Sequence, residues 1–327
     1  MSLRLPSPYA DRLLRDEPLA RFTAARLGGP GDLVYIARES TDELAAVVSS
    51  AWAQDVPVYI LGGGANVLIS DTGVRGLVVV NHVDGVTFGD EGNVDVESGH
   101  ALTVLARKCA ARGLAGFEWA SSVPGTIGGA VVNNAGAHGG DMAGNIVNIE
   151  IMDVGTRNDV SNEFDQQVQT SNNASLGFEQ IGRAIARPYT MTRDQLAYAY
   201  RTSALKARAD RRFLMLRARL HLTPDDPDAI QARMDAFIAH RKRTQPPGAS
   251  LGSIFKNPPG DYAGRLIESC GLKGYSIGGA QVSPLHANFF INTGSATSSD
   301  YAALVRHVQA QVAQQTGVTL ETEIEML

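Results

Sequence analysis

The chain has 327 residues, enough for two or three domains, and its 44% apolar and 19% charged residues are those of a folded globular protein. With 29 Lys and Arg against 34 Asp and Glu, the formal net charge of −5 argues against a general binder of nucleic acid or of an anionic membrane. Cys109 and Cys270 are too few for a disulfide framework and suit a reducing compartment; no run nears the roughly 20 apolar residues that span a bilayer, and residues 1–8 lack a signal-peptide core, so a cytoplasmic protein is expected.

In chain order, Ser40 and Glu43 make a capping-box pattern ahead of Leu44, Val47 and Val48, which predicts a helix over 40–54. Strands are predicted over 56–61, 67–69 and 76–80. Between the first two lies Gly62-Gly63-Gly64-Ala65-Asn66. A dinucleotide fingerprint needs a strand, GxGxxG and then a helix; this loop joins strand to strand, so neither spacing nor context fits a Rossmann domain. A tight turn is one reading. Three consecutive glycines exceed what a turn needs, and bare successive N–H groups suit the close approach of an anion such as a pyrophosphate.

Leu102, Leu105 and Cys109 mark a second helix closed by Gly113, with Cys109 a core residue rather than a nucleophile. Residues 121–140 are rich in Gly, Ala, Ser and Asn and nearly uncharged. They suit either a small-residue helix packed on a neighbour or a wall for a large flat or anionic ligand; two such stretches favour the ligand. Residues 157–187 are polar and Gln/Asn-rich, and read as a surface insertion. A strand over 213–222 runs into a break at 223–227, the candidate domain boundary. Asp228 then starts a helix with Ile230, Met234, Phe237 and Ile238 on one face and the basic run 240–243 at its end, complementing the helix dipole. A last helix is predicted over 299–315, ended by Gly317. Leu320 and Ile324 then alternate with Glu321, Glu323 and Glu325 as a strand.

Metal chemistry is not indicated, because none of the seven histidines pairs with Cys or Asp at ligand spacing. There is no G-x-S-x-G elbow and no P-loop. What remains is Arg201, Ser253 and one of the terminal glutamates, lone polar residues that pattern alone does not assign to catalysis.

Six motifs, each weak alone, stand in a telling order: LGGGANVLISD at 61–71, VPGTIGGA at 123–130, NAGA at 134–137, YRTS at 200–203, GSIFKNP at 252–258 and GLKGYSIGGA at 271–280. With TAARLGGP at 23–30 they make nearly the whole chain resemble the UDP-N-acetylenolpyruvoylglucosamine reductases. The resemblance implies an α+β protein. Its FAD-binding fold has two subdomains of the vanillyl-alcohol-oxidase (PCMH) type, followed by a C-terminal α/β substrate-binding domain. The implied division is 1–82 (with the strand 318–327 returning to it), 83–223 and 224–317.

The resemblance further implies non-covalent FAD, NADPH as co-substrate, and reduction of UDP-N-acetylglucosamine enolpyruvate to UDP-N-acetylmuramate for peptidoglycan. It implies no obligate protein partner. Ser253 matches the family's general acid and Arg201 its substrate-carboxylate ligand. Glu323 matches the catalytic glutamate, with Glu321 or Glu325 as the alternative if the strand register is off. Glu323 is expected to be protonated, or to act through Arg201 or water, when negative charge forms beside it. Gly62, Gly63, Gly64, Ala65, Asn66, Ser122, Pro124, Gly125, Thr126, Gly128 and Gly129 match FAD-binding positions; Asn257, Lys256 and Tyr200 match substrate-binding ones. Three departures stand out. The stretch from 200 to 224 is too short for the tyrosine loop of the longer subtype. Thr244 stands where a lysine is common. The insertion at 157–187 is not a family feature.

Overall fold

The computed structural model describes residues 3–153 and 188–327; the insertion expected at 157–187 falls outside them. Val74–Asn81 is buried along its length except at Arg75, and a strand apolar on both faces must sit inside its sheet. It pairs in parallel with Pro30–Ala37 on one side and Val58–Leu61 on the other, and Leu14–Pro18 adds an antiparallel edge. Its alternate residues feed two cores. Leu77 and Val79 join Leu33, Tyr35 and the helix Thr41–Ala53, while Val74, Val78 and Val80 join Leu19, Val34 and Ile69.

The expected N-cap is present, since Ser40 Oγ accepts from Glu43 N at 3.1 Å. The reciprocal half of the box is not. The Glu43 carboxylate, 1% exposed, reaches past Ser40 to Arg38 N, Glu39 N and Tyr35 OH, with Arg12 2.7 Å away. Burial works against its ionisation, and those hydrogen bonds outweigh burial and hold the carboxyl below the usual range.

The second sheet is antiparallel throughout: Tyr189–Thr192, Ile146–Asp153, Phe213–His221, Asn93–Glu97, Val86–Phe88. One face buries the helices Leu102–Ala110 and Ile127–Asn133. Cys109 lies in that core, its thiol pushed up to about 12 by burial. From the other face, Met152, Leu214 and Leu216 pack on the helix Thr41–Ala53. The helix expected from Asp228 starts one residue earlier, at Pro227 behind the cap Asp226, and runs to Thr244. Its Ile230 and Met234 are buried in this second core. The break before it is bridged as well, by Thr223–Pro224 pairing with Leu114–Ala115.

A third sheet, Ala249–Ser253, Phe289–Asn292, Ala280–Val282 and Ser276–Ile277, carries the helices Ala263–Ser269 and Ser298–Thr316. Ala25, Leu27 and Leu68, from the first part of the chain, complete its core. Only Glu325–Met326 of the expected C-terminal strand is regular, pairing in parallel with Val67–Leu68; Glu323 and Ile324 form a bend.

Asp71 fastens the first part to the third. Its carboxylate accepts from Ser298 N, Ser299 N and Ser299 Oγ at 2.6 to 2.8 Å, at the start of the last helix. Burial opposes its ionisation, and these donors lower its pKa on balance. A depressed carboxyl pKa stabilises the fold above the unfolded value of about 4, and the effect is lost as pH falls through the folded value. Asp71→Ala should therefore cost about 1 kcal/mol at pH 7. In denaturant titrations the gap between the two proteins should narrow as pH falls below about 4.

Candidate active site

Two glycine-framed segments face each other. At the end of the strand Val58–Leu61, Gly64 takes φ +58°, and a Cβ there would lie 2.1 Å from Phe22 O. The Gly64 carbonyl accepts from Ala24 N. A Cβ on Gly62 would meet Thr126 Oγ1 at 2.2 Å, and one on Gly63 would lie 3.0 Å from Gly125 Cα. Thus Gly62, Gly63 and Ala65 lie along Gly125 and Thr126, with Pro124 exposed beside them.

The second segment is held from behind by the end of the strand Asn93–Glu97: Gly128 N donates to Ser98 O, Ile127 N to His100 O, and Leu102 N to Gly125 O. Gly129 lies in the helix Ile127–Asn133, where its carbonyl accepts from Asn133 Nδ2. Next to Gly62 and Gly63 opens a cleft of about 250 Å³ lined by Arg21, Phe22, Thr23, Ala24, Val80 and His82. Ser121 Oγ and Ser122 Oγ are buried and have no hydrogen-bond partner among the described residues. Bare backbone on two sides and two orphaned hydroxyls fit a cofactor that brings its own hydrogen-bonding anion.

The catalytic candidates meet at one edge of these segments. Residues 200–203 form a tight turn closed by the Ala199–Thr202 bridge, with Arg201 at φ +55°. Its Nη2 donates to Gly136 O at 2.7 Å and Nη1 to Asn134 O at 3.4 Å; its Nε lies 2.9 Å from Glu323 Oε1. The Tyr200 ring lies 5.2 Å from the guanidinium carbon. Glu323 is fixed through its backbone, donating from N to Ile254 O at 2.8 Å and accepting at its carbonyl from Asn66 Nδ2 at 3.1 Å. The backbone of one residue therefore touches both the residue after Ser253 and the glycine loop.

Burial raises the Glu323 pKa, and Arg201, Lys206 and Lys256 oppose without cancelling it. Each glutamate of the C-terminal run faces its own cation: Glu321 Lys256, Glu323 Arg201, and Glu325 Arg211 at 3.8 Å. Of the three, Glu323 is the one beside Arg201. Ser253 ends the strand Ala249–Ser253, half-buried, with no side-chain hydrogen bond among the described residues.

Other predicted contacts have structural work. Lys256 is engaged with Glu321, and Asn257 Oδ1 accepts from Ala263 N ahead of the helix Ala263–Ser269, while Asn257 N lies 3.5 Å from Tyr200 OH. Thr244 Oγ1 donates to His240 O within its helix. Two buried asparagines, Asn134 of the NAGA motif and Asn288, were assigned no role from the sequence. Asn288 clamps the turn after Ser253, Oδ1 accepting from Phe255 N and Nδ2 donating to Phe255 O. Asn134, at φ +46°, donates from Nδ2 to Ala199 O at the root of the Arg201 turn. The second asparagine of the Asn133–Asn134 pair was the available signal, since asparagine tolerates the left-handed conformation. No group of three or more His, Cys, Asp or Glu among the described residues could hold a metal ion.

Residues 33–154 match the family described as "FAD binding domain", and residues 244–327 the one described as "UDP-N-acetylenolpyruvoylglucosamine reductase, C-terminal domain". The UDP-N-acetylenolpyruvoylglucosamine reductase of Synechococcus sp. (strain WH7803) is 39% identical over 95% of this chain and 91% of its own length. That of Chloroflexus aurantiacus is 37% identical over 99% and 100%. The crystal structure of the Thermus caldophilus reductase superposes with a TM-score of 0.73 at 30% identity, covering 96% of this chain and 98% of that one.

The close contact at Gly64 yields a test. Gly64→Ala combines a left-handed backbone with a clash against a carbonyl, at a cost of about 1–3 kcal/mol. The variant should melt several degrees lower and carry less FAD after purification, read as the 450 nm to 280 nm absorbance ratio.

Proposed function

We propose that Arg201, Glu323 and Ser253 carry the substrate half of the reaction of the UDP-N-acetylenolpyruvoylglucosamine reductase family, to which this chain belongs. As a member it is an FAD-containing, NADPH-dependent oxidoreductase. It reduces the enolpyruvyl group of UDP-N-acetylglucosamine enolpyruvate to UDP-N-acetylmuramate in peptidoglycan precursor synthesis. FAD, once reduced by NADPH, supplies the hydride. On our reading Gly62–Asn66, Ser122, Pro124, Gly125, Thr126, Gly128 and Gly129 hold it without a covalent bond, and Tyr200, Lys256 and Asn257 border the sugar nucleotide.

The observation that carries the proposal is the braced Arg201. Two carbonyls fix the guanidinium plane and Glu323 stands at Nε, so the charge is held in place before substrate arrives. Its role is to bind the substrate carboxylate and to face the negative charge that grows there as the alkene is reduced. Ser253 gives its hydroxyl proton to the carbon bearing that carboxylate. A hydroxyl is a weak acid in water, and a strongly basic, well-positioned carbanion makes the transfer feasible. Glu323 already has a raised pKa, and a second carboxylate at Arg201 raises it further, which favours its protonated form beside the developing charge.

The division at 82/83 and 223/224 is likewise our proposal, with the helix Pro227–Thr244 as a connector that rests on the second part. We place the enzyme in the cytoplasm, acting without an obligate protein partner. Both cysteines are free, and no helix among the described residues is long and apolar enough to cross a membrane.

Anaerobic stopped-flow separates the half-reactions. Ser253→Ala should be bleached by NADPH at the native rate, while reoxidation by the enolpyruvyl substrate slows at least about 100-fold. Equal slowing of both halves would defeat the assignment. Because the protonated form of Glu323 is the active one, substrate-driven reoxidation should fall as pH rises through its raised pKa. Glu323→Gln should flatten that limb.

A further inference from the structure

His100 is 1% exposed, directly behind the segment we assign to FAD. Its backbone and that of its neighbours carry the loop: His100 O accepts from Ile127 N, Ser98 O from Gly128 N, Leu102 N donates to Gly125 O, and Ala101 bridges to Thr126. The imidazole is pinned at both nitrogens, with Nδ1 3.0 Å from Ala101 O and Nε2 3.0 Å from Lys108 Nζ. An ammonium offers only donors, so Nε2 must be the acceptor and Nδ1 must carry the hydrogen. The ring is thus a neutral imidazole of one tautomer.

We propose that His100, backed by Lys108, is a positioning residue for the FAD-binding loop Gly125–Gly128, one that holds the loop only while its ring is neutral. This rests on the assignment of that loop to FAD. A proton on Nε2 would remove the acceptor and set two cations 3.0 Å apart, one of them on a buried ring. Burial, and after it Lys108, disfavour the charged ring; the Ala101 carbonyl and the carboxylates of Asp84 and Glu97 oppose them, and the balance keeps the pKa below the ordinary histidine value. The sign follows. A group whose pKa is lowered where the loop is held weakens that arrangement as pH falls below the ordinary histidine value of about 6.5, by at most about tenfold per pH unit. FAD retention therefore becomes proton-sensitive without any titrating group touching the cofactor.

The test titrates FAD into apoprotein by flavin fluorescence at pH 7.5, 6.5, 5.5 and 5.0. The wild type should show a dissociation constant that rises severalfold as pH falls below about 6.5. In His100→Gln, whose amide oxygen can still accept from Lys108, the rise should shrink to about twofold. Lys108→Met keeps the histidine but removes the opposing cation, so it should fall between the two and decides the matter if His100→Gln does not fold. A flat wild-type profile, or parallel profiles in all three proteins, overturns the inference while leaving FAD binding intact. Failure of the wild type to bind FAD at pH 7.5 overturns the assignment beneath it instead.

Discussion

Everything chemical in this molecule hangs on where the Glu323 peptide is pinned. Its N–H reaches the turn after Ser253, its carbonyl reaches Asn66 of the glycine loop, and its carboxyl lies against Arg201. Those three partners come from the three parts of the chain. A single residue in an irregular bend is therefore the point where the glycine loop, the turn after Ser253 and Arg201 are brought together. The bend is what permits it: a regular strand would send successive side chains to opposite faces but could not turn its backbone toward two different loops.

Backbone strain is part of the Arg201 brace. Asn134, His138 and Arg201 all take positive φ without being glycine, and the first and last are tied to one another through Asn134 O and Ala199 O. Strain of this kind survives only where surrounding contacts over-determine the conformation. Here it stabilises the orientation of one guanidinium, and the Gly136 carbonyl completes the brace. The protein's own groups thus orient the guanidinium, which is the arrangement our proposal for Arg201 requires.

Much of the fold was legible because its signals are local. The cap Ser40, the apolar run of Val74–Asn81, the helix ended by Gly317 and the core position of Cys109 all follow from residues within a few places of one another. The glycine segments announced a ligand but not that Thr126 would close on Gly62. What failed was non-local. The Glu43 carboxylate was drawn away from Ser40 by Tyr35 and Arg12, a tertiary competitor that no capping pattern contains. The C-terminal alternation read as a strand, yet bonds to Ile254 and Asn66 bend it at Glu323. Asn288 gave no sign at all, because its importance lies in the turn it clamps 33 residues away. The roles of Arg201, Ser253 and Glu323 came from motif resemblance; residue pattern alone left each with an ordinary surface explanation.

The sharing of the third core with Ala25, Leu27 and Leu68 has a consequence for biosynthesis. Asn66 meets its partner Glu323 across 257 residues of chain. At about 5–20 residues per second, a ribosome takes roughly 13 to 51 s to bridge that gap. Throughout this interval the nascent first part displays apolar side chains whose cover, Leu320 and Ile324 included, has not yet been made. The chain thus emerges with a built-in demand for holding factors, and truncation near its end should damage solubility well before it removes much mass.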